Sequence, residues 1–249
     1  MADNQQVIAE RYLEAGREVL ALYRDRPPGQ RVWRVTPERD NNFRVVWPLA
    51  MHAINQAATG MRLVDLELFY PACAIARVAL EHAVIAQWVR VTEDGPQRLV
   101  ATMTGEHDKT VSDLATFVER DQIPVELHEA ADRQRDLGRQ APNFAQICEH
   151  FTGKQRTIYS IYRNLNGAVH PSLATMNAYL DIDRVSGAVS LSPVPLVDTL
   201  PLDLAMTLGW SALLAAYAVE ALAEGSTSRC QDVVDIATRA EMPVDLTLG

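Results

Sequence analysis

A chain of 249 residues can bury a sizeable core, as one generous domain or one domain with appendages. Its composition, 48% hydrophobic and 22% charged, is ordinary for a globular protein, and its net charge of −9 argues against a broad nucleic-acid-coating surface, because such binding rests on phosphate neutralisation. Three widely spaced cysteines, Cys73, Cys148 and Cys230, odd in number and with no signal peptide before them, point to a reducing cytoplasm without disulfides.

The first element in chain order is a helix over residues 5–24, with Val7, Ile8, Tyr12, Leu13, Val19, Leu20 and Tyr23 as its apolar stripe. Pro27, Pro28 and Gly29 stop it. The next segment alternates too weakly for a strand, and interleaves Arg31, Arg34, Arg39 and Arg44 with Trp33, Phe43 and Trp47. Two readings fit: an arm packed over the core by its tryptophans, or a surface that stacks bases and pairs phosphates. Residues 1–48 are therefore set apart as a helix plus arm, and residues 49–249 as the main helical domain. A short helix is expected over 49–59.

The longest apolar element of the first half spans about 66–91, with Pro71 in its first turn. Its few polar side chains include Arg77 and Glu81, which at i, i+4 share a face with Val84 and Trp88. They form either an internal ion pair, since buried charges need partners, or the wall of a pocket. Asp94, Gly95 and Pro96 make a turn. A helix over 97–120 follows, interrupted at Gly105–Lys109, then a shorter one over 124–137. Asn143 is placed to cap a helix through Phe151. Cys148 and His150 are close in sequence but have no second pair to complete a tetrahedral metal site, so no metal is expected.

From Thr157 to Val169 the apolar positions again recur at helical spacing, and Pro171 ends the pattern. On a continuous helix, Arg163 and His170 would project from one face, about 10 Å apart along the axis. A guanidinium and an imidazole so placed suit phosphodiester chemistry: one binds phosphate, the other moves a proton. Residues 177–192 read as a β-hairpin around Ser186 and Gly187. Residues 202–223 form the most apolar helix, read as a buried central helix and not a membrane span. A last amphipathic helix covers 229–239. No glycine-rich phosphate loop and no common hydrolase signature occurs. The expected fold is an all-α, mostly helical bundle with one small β-hairpin.

Arg163, six residues beginning with Asn164, and then His170 resemble the R-x(4–6)-H motif of HEPN domains. The helix carrying Arg77 and Glu81, the His170-Pro171-Ser172 run and the hairpin resemble a bacterial family of unknown function related to HEPN proteins, over about residues 66–192. The resemblance implies a helical bundle that dimerises and brings two motifs together. It also implies a cytoplasmic, metal-independent and cofactor-free endoribonuclease, as a toxin or phage-defence effector beside an antitoxin. On that reading RNA is the partner. His170 acts on the 2′-hydroxyl or the leaving 5′-oxygen, Arg163 binds the phosphate, and Asn164 orients either. Arg77 and Glu81 bind or orient the substrate. The alternative is a non-catalytic binding or structural protein in which Arg77, Glu81, Arg163 and His170 form one buried network.

Overall fold

The computed structural model describes residues 2–24, 33–114, 139–151, 155–183, 185–197, 199–224 and 227–248. Within them the elements in order are α1 (Ala2–Arg24), α2 (Pro37–Asp65), α3 (Phe69–Val91), α4 (Gly95–Leu114), α5 (Phe144–His150), α6 (Gln155–Asn166) and α7 (Leu173–Ala178). The hairpin β1 (Leu180–Ile182) and β2 (Val189–Leu191), then α8 (Leu202–Glu220) and α9 (Thr227–Ala240), complete the chain. The fold is all-α with one small hairpin, as the periodicity predicts. The helix expected over 124–137, and the end of the one expected to reach 120, lie outside the described residues.

The bundle is built around α8, which packs against α1, α2, α3 and α9. Almost every residue from Leu204 to Glu220 is buried, because an apolar helix without a polar face has to be covered on all sides. Two glycines set how closely its neighbours come. A Cβ on Gly209 would stand 2.1 Å from the Tyr12 carbonyl oxygen of α1, and one on Gly60 of α2 would meet the Leu208 side chain at 2.4 Å. Both α3 and α8 are long and apolar enough to cross a membrane by length and composition; here α8 is the buried centre of the bundle.

The arm is largely helix. Thr36-Pro37-Glu38 starts α2, with proline at the first helical position and Glu38 and Asp40 in the first turn, a favourable start for both backbone and dipole. The expected short helix over 49–59 is thus the middle of a 29-residue one, and the division placed at residue 48 falls inside it. Buried Ala9, Leu13 and Val19 of α1 belong to one cluster with the cores of α3 and α8. Trp33, Phe43 and Trp47 pack on one another and on that core, with Trp33–Trp47 centroids 4.2 Å apart and Phe43 stacked on Trp47 at 5.7 Å. All three remain partly exposed.

Three further differences from the sequence expectation concern α4, α6 and the hairpin. Helix α4 passes through Gly105–Lys109 unbroken, where Lys109 pairs with Glu106 and the Thr110 hydroxyl donates to the Glu106 carbonyl at 3.0 Å. One interior glycine costs only about 1 kcal/mol. Helix α6 ends at Asn166, three residues short of Val169. The hairpin is confined to three-residue strands, with Leu180 opposite Leu191 and Ile182 opposite Val189. Gly187 supplies a positive φ of 71° at its turn, a conformation glycine adopts without cost.

Candidate functional site

Pro171 has no N–H, so the Gly167 carbonyl lacks the partner a continuing helix would give it. Three hydroxyls converge there instead: Tyr70 at 3.1 Å, Ser172 at 2.8 Å and Thr175 at 2.7 Å. The chain between tightens into turns, with Ala168 N bonding the Leu165 carbonyl at 3.1 Å and His170 N the Asn166 carbonyl at 3.1 Å. Ser172 then caps α7, its hydroxyl accepting from Thr175 N at 3.0 Å. His170 therefore sits in a braced bend beyond the end of α6. The single helical stripe expected for Arg163 and His170 does not form.

Arg163 and His170 are both exposed, and among the described residues neither side chain has a hydrogen-bonding or ionic partner. Asn164 is exposed too, and its amide donates to the Asp203 carboxylate at 3.2 Å. It thus ties α6 to the first turn of α8 and does not hold Arg163.

Arg77 and Glu81 meet a different residue. The Arg77 guanidinium lies 4.6 Å over the Tyr162 ring and donates to its hydroxyl; that hydroxyl stands 3.5 Å from Glu81 Oε2. Phe144 and Tyr159 flank the same ring at 4.4 and 6.1 Å. All three members of the trio are half-buried. Burial first, and the Glu81 charge second, raise the Tyr162 hydroxyl above its usual value, so it stays protonated and donates at neutral pH. Among the described residues Arg77 and Glu81 make no ion pair with each other; each meets the Tyr162 hydroxyl instead. Arg163 and His170 are outside this trio.

The cysteines carry no reactive thiolate. Burial, aided by Asp203, pushes Cys73 up to about 11, and burial with Glu149 and Glu81 pushes Cys148 up to about 12. His150 accepts the Trp88 indole N–H at 3.2 Å, so its ring serves α3 packing. Among the described residues no group of three or more His, Cys, Asp or Glu side chains is placed to hold a metal ion.

Two features escaped the sequence reading. Tyr70 and Thr175 brace the His170 bend from positions that look like ordinary helix residues; only a tertiary contact reveals them. His52 of α2 and His82 of α3 face each other with ring centroids 4.5 Å apart, beside a groove of about 430 Å³ that Arg44 also lines. His82 Nδ1 donates to the Val78 carbonyl at 2.9 Å. Burial first and His82 second hold His52 below its ordinary value. The two histidines are 30 positions apart, and no local pattern joins them.

A family of unknown function (DUF5677) matches residues 43–187, from the first turns of α2 to the hairpin turn. The matched stretch holds Arg77, Glu81, Arg163, Asn164 and His170. No curated protein and no solved structure matches the chain.

Proposed function

Since the chain belongs to the DUF5677 family of unknown function, we propose its function from the site itself: a cytoplasmic, metal-independent endoribonuclease of HEPN type. The observation that carries this reading is that Arg163, in the last turn of α6, and His170, on the segment braced by the hydroxyls around Gly167, stand exposed without side-chain partners among the described residues. A structural arginine and histidine would be buried against partners.

In the proposed reaction the RNA 2′-oxygen attacks the adjacent phosphorus and the bond to the 5′-oxygen breaks. The products are a 2′,3′-cyclic phosphate and a 5′-hydroxyl. The proton leaves the 2′-hydroxyl and another reaches the departing 5′-oxygen. His170 moves one of them, since imidazole titrates near neutrality, and solvent water the other. Arg163 pairs with the phosphate oxygens as their charge grows. Arg77 and Glu81 are positioning residues: they fix Tyr162 and with it the orientation of α6, one residue before Arg163.

The same surface supports a homodimer. Leu173, Met176, Ile182, Val189, Leu191 and Val194 are all more than half exposed, and a lone two-stranded hairpin with open edges is marginal in water. A second copy laid on this face covers the apolar side chains and brings two Arg163/His170 pairs together. Regulation by an antitoxin partner, in a toxin or phage-defence role, completes the proposal.

The test is incubation of purified protein with total RNA in EDTA, comparing wild type with His170→Ala at matched folding. Wild type should cleave, and His170→Ala should be slower by roughly 10²-fold or more. Equal cleavage by both, or cleavage by neither, would overturn the assignment.

A further inference from the structure

A second concave site is formed by α1 and α2. Helices α1 and α2 both rest on α8 and barely touch each other, which leaves between them a cavity of about 460 Å³. That is the size range of small-molecule sites. Its floor is apolar: Met51, Ile54 and Met61 from α2, with Leu20 from α1. Ile54 and Met61 are fixed in the core at 5% and 2% exposure, and Met61 is seated against Gly16.

The polar edge is basic. Arg17 and Arg24 of α1 and Arg62 of α2 line the cavity, against one carboxylate, Asp65. On a chain of net charge −9, three guanidiniums line this one hollow, with Arg17 also 3.8 Å from Glu14. Arg17 is bound to Asp65 at 2.6 Å, which fixes it at the edge. The Arg62 side chain, exposed, has no ionic or hydrogen-bonding partner among the described residues. Guanidinium forks match phosphate oxygens in pairs, and the methionine floor adapts to a flat apolar body.

We propose that the cleft between α1 and α2 binds an organic phosphate, a phosphate carried on an apolar body of one or two rings, with Arg62 as its principal phosphate ligand. The body lies on Met51, Ile54 and Met61, and the phosphate meets the arginine edge. This site is separate from the Arg163/His170 pair and stands whether or not that pair cleaves RNA.

The experiment is calorimetric titration of the full chain with 1-naphthyl phosphate, 1-naphthol and inorganic phosphate. Naphthyl phosphate should bind saturably, and the other two at least about tenfold more weakly, because each lacks half of the recognition. Arg62→Ala changes an exposed side chain and should weaken naphthyl phosphate about tenfold or more, the order carried by one charged hydrogen bond. Arg163→Ala should leave the affinity unchanged. No saturable binding by wild type would overturn the proposal, as would inorganic phosphate binding as tightly as the ester. So would an affinity that follows Arg163→Ala in place of Arg62→Ala.

Discussion

Tyr162 is the shared neighbour of Arg77 and Glu81: it takes a hydrogen bond from Arg77, lies under the guanidinium, and faces Glu81. Tyr162→Phe keeps the ring and deletes the hydroxyl, leaving Arg77 and Glu81 half-buried without their shared partner. A loss of about 1–3 kcal/mol is expected, read as a lower urea midpoint at unchanged slope; an unchanged midpoint would show that the trio is solvated. His52 gives a pH prediction with a definite sign. Its folded value lies below the ordinary 6.5, so its contribution to stability is complete above that value and is lost as pH falls through the lower folded one. The groups facing it are His82, Gln56 and Arg44. His52→Gln should therefore flatten the stability profile between roughly pH 7 and 5, and a profile identical to wild type would remove His52 as a cause.

At the scale of elements, the glycine of α8 makes the sharpest prediction. Gly209→Ala puts a methyl 2.1 Å from the Tyr12 carbonyl oxygen, and a helix backbone cannot turn aside as a side chain can. The two helices must separate, at about 1–3 kcal/mol or more, which lowers the thermal midpoint by roughly 2–4 °C per kcal/mol in a chain of this size. An unchanged midpoint would mean that α1 does not dock there. The buried stripes of α3 and α8 were legible in the sequence because nearly every position is apolar, and the Asn143 cap and the hairpin turn because their residue types have few other uses. The start of α2 was not. Its buried positions begin at Val46 and recur every three or four residues to Val64, while its first turns carry charges and packed aromatics in no helical order. The early end of α6 follows from Pro171, whose effect reaches back four residues through the missing N–H.

At the scale of the whole molecule, the chemistry-bearing residues could be named from the sequence and their arrangement could not. Arg163 and His170 were legible as a spacing, but that spacing assumed a helix which stops at Asn166. Asn164 finds Asp203, and Arg77 and Glu81 find Tyr162, across separations of 39 to 85 positions that no local pattern encodes. The apolar face of α7 and the hairpin predicts assembly: light scattering should give twice the chain mass, and Leu191→Asp, at a residue 80% exposed, should return the mass to one chain without loss of helicity. A single-chain mass for wild type at working concentration would contradict the dimer.

The most direct test of the central claim separates the exposed pair from the half-buried trio. One RNA oligonucleotide is cleaved under single-turnover conditions in EDTA by wild type, His170→Ala and Glu81→Gln, each shown to be folded. The account predicts that His170→Ala loses roughly 10²-fold or more in rate while Glu81→Gln stays within about tenfold of wild type, as fits a positioning residue whose neutral isostere still accepts from Tyr162. Full activity in His170→Ala, with loss in Glu81→Gln, would place the chemistry on the Arg77, Glu81 and Tyr162 cluster and contradict the account.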